Sequence, residues 1–412
     1  MTKTHSLNTL FFTALAVLCQ SINFLNFGLI NDFLKVYALA SGFFVKSSNI
    51  DSNIWVITIF FARIIGVIFL ARMAMKIGFL KLIKITSFLY VIISAIFVFV
   101  VQFNWEFGEI TAGIYIAKFF YSFLQTSFEI FPCVYLFQKY EKSNYFLISG
   151  LVIGAMSLGR LITSLVKQNI PENPHICFII TLIAATLAWL IYRYIEKHSP
   201  SINDSFAKIA SVFSSVSWKQ KALCPLLGAA SATIIFFNDM YFRNFISDVL
   251  VMDLNFIFHR WIYFIIYIFL LAPAVLLSKR FGFVNMALIS LMGLFMLTTF
   301  PASTIVHPLI YYTHQTLFAS FSAIFSAPLL APMHTKSAPK FYIKIVCFTI
   351  GFNVCLLLAT LEKNIALAFN YTNIGWCTFS ASIGLCFIAV WRYSGLLQDE
   401  KNTSMPLRLA IP

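Results

Sequence analysis

Four charged side chains lie inside long apolar stretches of this sequence: Arg63, Lys118, Glu129 and Arg160. A charge inside a bilayer is costly, so such residues normally face a cavity or a partner of opposite charge. An arginine beside a carboxylate forms an ion pair, and a cation that faces a cavity can bind a carboxylate-bearing solute. A buried carboxylate without a cation tends to hold a proton and can carry it. The four residues therefore predict either a solute and ion pathway or a set of structural ion pairs.

The stretches that carry these charges are too apolar for a water-soluble domain. Of the 412 residues, 60% are hydrophobic and 11% are charged, whereas about 25% are charged in an ordinary soluble domain. A helix needs about 20 mostly apolar residues to cross a bilayer. The sequence predicts an all-α polytopic membrane protein with twelve spans: 9–31, 54–72, 84–103, 110–137, 145–166, 176–195, 222–245, 256–278, 283–302, 305–331, 341–361 and 373–394.

The basic residues predict the orientation of these spans. With both termini inside, twenty of the 29 Lys and Arg residues fall in cytoplasmic segments and six in outer loops. Acidic residues lean the other way, with nine outside and five inside. This is the positive-inside pattern, so the net charge of +14 indicates a membrane topology rather than nucleic-acid binding. We expect a multi-pass protein of the inner membrane, in contact with the lipid bilayer, with both termini in the cytoplasm.

A long polar stretch divides the spans into two sets of six. The predicted organisation is an amino-terminal half (1–195), a cytoplasmic linker (196–221), a carboxy-terminal half (222–394) and a cytoplasmic tail (395–412). An internal repeat supports this division.

The repeat joins the loop after the second span to the loop after the eighth. Lys76 precedes Gly78 by two residues, and Arg280 precedes Gly282 by two residues. A phenylalanine follows each glycine, and the glycines are 204 residues apart. A tight loop between adjacent helices favours glycine at such a position. We interpret both loops as gating loops of two similar six-helix halves.

These features resemble the major facilitator superfamily, and within it the metabolite:proton symporter branch of which proline/betaine transporters are typical. That branch has the loop G-x-x-x-D-R/K-x-G-R/K-R/K after the second helix; Lys76 and Gly78 match it, whereas Met75 replaces the aspartate. In the second loop, Lys279 replaces the aspartate. The resemblance extends over the whole chain and implies two six-helix pseudo-repeats that surround a central cavity.

Further matches to the branch lie inside the spans. Arg63 keeps its interval to the loop, Lys118 and Glu129 resemble a base and an acid of the fourth helix, and Asn353 resembles a Phe-Asn pair of the eleventh. Asn23 and Asn26 stand where the branch has acids in the first helix. The lost acids weaken the expectation of proton coupling.

Arg63 and Glu129 are predicted to lie at one depth in the same half. Arg63 is about 12 Å from the inner end of its span and Glu129 about 13 Å from the end of its own. We expect an ion pair near the cavity floor, which is either structural or part of transport. Glu129 would carry a proton only if the pair opens.

Other residues of the predicted pathway lie nearer the outer side. Lys118 and Arg160 suit an anionic substrate, although each could instead pair with an outer acid such as Asp32 or Asp239. Asp32 and Asp239 could also cap helix ends. The resemblance places Asn26 and Asp32 in the first helix, and Asn238 and Asp239 in the seventh, in comparable positions facing the cavity.

The resemblance implies a secondary transporter of a small polar metabolite, either an osmolyte such as proline or betaine or an organic acid, coupled to a proton. The alternatives are an uncoupled facilitator or exchanger, and a transport-dead sensor or partner protein of the same fold. No Walker A, HExxH or CxxC motif is present, so we expect no ATP drive, metal or cofactor, and no enzymatic activity. We expect a monomer.

Overall fold

The computed structural model describes residues 2–40, 49–102, 108–140, 144–169, 174–198, 216–236, 260–299, 308–333, 338–368 and 374–392. Within these ranges the chain forms twelve α-helices and one 3₁₀ turn, Ala331–Met333. The helices are α1 (Thr2–Ala40), α2 (Asn49–Ile77), α3 (Phe79–Gln102), α4 (Gly108–Lys139), α5 (Tyr145–Asn169), α6 (Pro174–His198), α7 (Trp218–Phe236), α8 (Arg260–Phe281), α9 (Phe283–Thr299), α10 (Pro308–Ser326), α11 (Ala338–Ala368) and α12 (Ile374–Arg392).

Each helix corresponds to one predicted span, and several extend past the apolar residues that predicted them. Eight of the described helices contain a stretch long and apolar enough to cross a membrane. Large apolar side chains such as Phe269, Leu309 and Leu385 are exposed on their outer faces. A bilayer covers such faces, because lipid tails are as apolar as these side chains. The protein is an integral multi-pass membrane protein.

The helices pack in two groups that meet along two seams. In the first group α1 packs against α4, α5 and α6, while α2 packs against α4 and α3 against α6. In the second group α7 packs against α11, α8 against α10, and α9 against both α10 and α12. The groups meet where α2 contacts α11 and where α5 contacts α8. These seams border the space in which the candidate site lies.

The glycines of the two predicted gating loops have the same backbone conformation. Gly78 has φ 88° and Gly282 has φ 82°, values that residues with a Cβ rarely adopt. Gly78 N–H donates to Ala74, and Gly78 C=O accepts from Leu82 N–H at the start of the next helix. Gly282 makes the equivalent bonds. Each glycine thus ends one helix and begins another, as the sequence repeat predicted. Lys76 and Arg280, the bases of these loops, are exposed.

Helices α7 and α11 cross at the distance of backbone contact. A Cβ on Gly228 would lie 2.1 Å from the carbonyl oxygen of Phe348, and one on Gly351 would lie 2.2 Å from that of Pro225. Only glycine at both crossing points permits this approach.

The tenth span differs from its prediction as one helix over 305–331. Helix α10 ends at Ser326, and residues 327–333 form turns. Pro328 explains this end, because a proline disfavours helical backbone at the preceding residue. The predicted linker 196–221 and the predicted tail lie mostly outside the described residues.

Candidate functional site

A central cavity of about 950 Å³, its open part included, lies between the two helix groups. Helices α1, α4 and α5 border it from one side, and α7, α8, α10 and α11 from the other. Most of its described lining is aromatic or aliphatic, with a few hydroxyl groups and two charges. The lining residues are Phe24, Glu129, Cys133, Ile153, Met156, Ser157, Arg160, Ser231, Ile234, Tyr263, Phe264, Tyr267, Ser322, Ser326, Leu330, Ile345, Phe348, Thr349 and Phe352.

Glu129 borders the cavity and forms an ion pair with Arg63, which does not border it. The Arg63 guanidinium on α2 donates to Oε1 of Glu129 on α4, and their side chains are only 4% and 9% exposed. The guanidinium also lies 4.8 Å from the ring centroid of Phe27 on α1. The predicted ion pair is therefore present. Because the pair neutralises Glu129, this carboxylate does not present an uncompensated negative charge to the cavity.

Arg160 is the basic residue of the described lining. Its guanidinium carbon lies 5.6 Å from the ring centroid of Phe24. Tyr267 of α8 borders the cavity together with Ser157 of α5 and Ser326 of α10. A cation and several hydroxyl groups thus border an otherwise apolar cavity. This arrangement can bind a carboxylate through charge-assisted hydrogen bonds.

Lys118, a further predicted pathway cation, does not border the cavity. It is fully buried on α4, with its ammonium 5.8 Å from the ring centroid of Phe27 and 5.3 Å from that of Tyr121. Phe27 is therefore a neighbour of both Lys118 and Arg63. The two cations share an aromatic neighbour inside the first helix group.

Two further polar residues join this buried cluster. The Tyr90 hydroxyl on α3 donates to Oε1 of Gln125 at 2.9 Å, and the rings of Tyr90 and Tyr121 stack at 4.2 Å. Gln125 precedes Glu129 by one helical turn on α4. Sequence reasoning missed Tyr90 and Gln125, because neutral polar residues in apolar runs give no charge signal.

The predicted asparagines are buried away from the described lining. Asn23 donates to the Tyr192 hydroxyl at 2.8 Å, and Asn353 donates to Thr349 of its own helix at 2.8 Å. Asn26 is fully buried, and its side-chain amide has no hydrogen-bond partner among the described residues. The side chains of Asp32, Asn238 and Asp239 lie outside the described residues. The asparagines' predicted roles in solute binding stay predictions.

Contacts between the groups close the cavity at the end that carries the loops after α2 and α8. The Leu330 N–H donates to the Ser149 hydroxyl at 3.0 Å. Phe137 of α4 packs on Phe341 of α11 with ring centroids 5.1 Å apart. A second contact between aromatic rings lies at the start of α3. There Phe79 meets Tyr342 at 5.8 Å. This aromatic closure, together with the Ser149–Leu330 bond, is called the inner closure below.

The arrangement matches solved structures over nearly the whole chain. FucP, a major facilitator superfamily transporter in the outward conformation, superposes with a TM-score of 0.66 at 15% identity, covering 92% of this chain and 98% of its own. A double tryptophan mutant of XylE gives 0.73 at 12% identity, covering 96% and 99%. The chain has the major facilitator fold.

A third structure extends the comparison. A bacterial homologue of the iron transporter ferroportin, in an outward-facing state, gives a TM-score of 0.68 at 8% identity, covering 93% of this chain and 99% of its own. No protein-family model matches the sequence, and no curated protein matches it significantly. At these identities the likeness establishes the fold.

Proposed function

We propose that this protein is a secondary transporter that moves a small organic solute across the membrane by alternating access. The observation that carries the proposal is the central cavity, which is lined from both helix groups and bounded at one end by the inner closure. A solute held there contacts both groups, so a change in their tilt exposes it to the other side. Among the similar structures, FucP is described as a fucose:proton symporter.

The conformation corresponds, in this proposal, to an outward-facing state. The inner closure lies at the end that carries the loops after α2 and α8, which the charge distribution assigns to the cytoplasm. We propose inner-membrane location and cytoplasmic termini on the same ground. The division into halves 1–195 and 222–394 agrees with the two packing groups and is kept as part of the proposal.

The proposed substrate is a small metabolite, either an osmolyte such as proline or betaine or an organic acid. Glu129 is the proposed proton carrier, because it borders the cavity and its partner Arg63 could release it on protonation. The metabolite:proton symporter resemblance supports the same role. One observation favours an uncoupled facilitator instead: in the observed state the Glu129 carboxylate is engaged by the Arg63 guanidinium.

Uptake into proteoliposomes tests the proposal. The purified protein is reconstituted, and uptake of labelled proline, betaine and mono- and dicarboxylates is measured with and without an inward proton gradient. Stimulated uptake of one solute supports a symporter, and uptake that ignores the gradient supports a facilitator. Absence of uptake for every solute, from protein that unfolds cooperatively on heating, contradicts the proposal and favours the transport-dead alternative.

A further inference from the structure

We propose that an anionic phospholipid binds where the start of α3 meets the end of α6, with its phosphate among four basic side chains and its acyl chains along Phe88 and Trp189. This place is called the headgroup site below. It lies on the lipid-facing surface of the first helix group, at the end that carries the loop after α2. The charge distribution assigns that end to the cytoplasm. The inference goes beyond the proposed transport function.

The first argument is that two contacts hold α3 and α6 together at this end. The Lys84 ammonium on α3 donates to both carboxylate oxygens of Glu196 on α6, at 2.7 and 2.8 Å. Phe88 follows Lys84 by one helical turn, and its ring centroid lies 5.5 Å from that of Trp189 on α6. The headgroup site is therefore built on two packed helices, which preorganises the basic side chains beside the ion pair.

The second argument is the charge around this ion pair. On α3, Lys81 precedes Lys84 by one helical turn and is exposed. On α6, Arg193 precedes Glu196 by three residues and Lys197 follows it directly, and both are exposed. Glu196 is the only acid in the sequences of α3 and α6. The five residues sum to +3 (four bases minus one acid). A basic cluster beside the membrane attracts anionic lipids.

The third argument is that the surface changes from basic to apolar within two helical turns. The Arg193 guanidinium carbon lies 5.9 Å from the ring centroid of Trp189, which in turn packs on Phe88. Tryptophan is typical of the headgroup level of a bilayer. Beyond it, exposed apolar side chains such as Phe88 and Ile92 continue along α3.

This combination identifies a lipid rather than a soluble anion as the ligand. A guanidinium suits the oxygens of a phosphate, and the apolar surface next to it suits hydrocarbon chains. A soluble phosphate compound would use only the basic part of the headgroup site.

Fluorescence quenching by brominated lipids tests the inference on the full-length protein. The protein is reconstituted in dioleoylphosphatidylcholine that contains a minor fraction of either phosphatidylglycerol or phosphatidylcholine with brominated acyl chains. Bromine quenches the tryptophans that it contacts. We expect phosphatidylglycerol to bind with at least about fivefold higher apparent affinity than phosphatidylcholine. Trp189→Phe should remove this excess quenching, because Trp189 is the tryptophan of the headgroup site among the seven in the chain.

Variants assign the preference to the basic side chains. Arg193→Gln and Lys81→Gln should each lower the preference for phosphatidylglycerol by about fivefold. The ratio of the two lipids is compared within each variant, so that a change in intrinsic fluorescence cancels. Lys279→Gln is the matched control, because Lys279 is an exposed base in the last turn of α8, in the second helix group. Higher ionic strength should reduce the preference, because exposed charges are screened.

Four outcomes would overturn the inference. Equal quenching by the two brominated lipids would show no selection for an anionic headgroup. Excess quenching that survives Trp189→Phe would place the lipid elsewhere. An equal loss in Lys279→Gln and Arg193→Gln would show a general surface potential instead of a site. Displacement of the lipid by soluble glycerol 3-phosphate would show that the ligand is a soluble anion. Thermal unfolding confirms that each variant is folded.

Discussion

Arg63 on α2 and Glu129 on α4 form an ion pair that is almost fully buried, although the carboxylate borders the central cavity. The pair therefore joins the polar interior of the first helix group to the proposed solute path. Behind it lie Phe27, Tyr90 and Gln125, which contact members of the same cluster. A change in the charge of Glu129 therefore changes its electrostatic attraction to Arg63, and through Arg63 it acts on α2.

Removing one partner of this pair should destabilise the protein more than removing both. Glu129→Leu leaves the Arg63 charge buried without compensation, which should cost about 3–5 kcal/mol. The double variant Arg63→Met with Glu129→Leu should recover most of this loss, because no buried charge remains. Thermal unfolding in detergent measures both effects.

Uptake by the same variants then distinguishes a structural role of the Arg63–Glu129 pair from a role in proton coupling. A double variant that is as stable as the parent and has lost stimulation by a proton gradient assigns coupling to the pair. Full gradient-driven uptake by the stable double variant would exclude Glu129 as the proton carrier.

The gating-loop glycines should not tolerate a side chain. Gly78→Ala and Gly282→Ala each force a Cβ into the left-handed region, at a cost of about 1–2 kcal/mol. Gly154→Ala is the matched control, because within the described ranges its Cβ would meet only Leu271, at 3.4 Å, inside a regular helix. Alanine should there be neutral or stabilising by up to about 1 kcal/mol. Equal unfolding midpoints for all three variants would show that the loop conformation is not required.

A covalent link across the inner closure should stop transport. The bond between the Ser149 hydroxyl and the Leu330 N–H keeps the two backbones within the reach of a disulfide. Ser149→Cys with Leu330→Cys, oxidised in proteoliposomes, should lose uptake and regain it after reduction. Each single variant under the same oxidant controls for the native cysteines, of which Cys133 borders the cavity. Unchanged uptake by cross-linked protein would contradict opening at this end.

Lys139, at the end of α4 beyond the predicted span 110–137, should make stability depend on pH. Burial lowers the pKa of Lys139 to about 8 from its ordinary 10.5. The folded state therefore disfavours the protonated amine, so this residue's penalty is complete below about pH 8 and declines as the pH rises toward 10.5. Lys139→Met should raise the unfolding midpoint at pH 7, and the difference from the parent should shrink between pH 8 and 10.

Two aromatic rings stabilise the Lys139 ammonium and so oppose the destabilising effect of its burial. The Lys139 ammonium lies 4.6 Å from the ring centroid of Phe12 and 4.5 Å from that of Tyr135, and such contacts stabilise the cation. A lower midpoint for Lys139→Met at pH 7 would show that the ring contacts outweigh desolvation.

The ion pair and the gating-loop glycines were predictable from the sequence for simple reasons. The rise per residue of a helix is constant, so counting from the span ends placed Arg63 and Glu129 at one depth. A glycine that follows a base at the same interval in two loops indicates a shared backbone requirement. Both signals depend on position along the chain.

The sequence did not predict how each helix is rotated about its own axis, and so which of its faces borders the cavity. Lys118 and Arg160 looked alike, as basic residues in the outer part of their spans, yet only Arg160 borders the described cavity. Which face of a membrane helix points inward depends on its neighbours, because lipid and protein interiors are similarly apolar. For the same reason Tyr267 and Ser322 did not stand out among the 17 tyrosines and the other hydroxyl-bearing residues.

The α5–α8 seam has a mechanical consequence. Gly150 and Gly154 of α5 face Val275 and Leu271 of α8, and the same two helices carry Arg160 and Tyr267. In the proposed transport cycle, a solute bound beside these side chains would lie where the two helix groups meet. The size of the solute would therefore affect the spacing of α5 and α8 directly, and through it the relative tilt of the two helix groups.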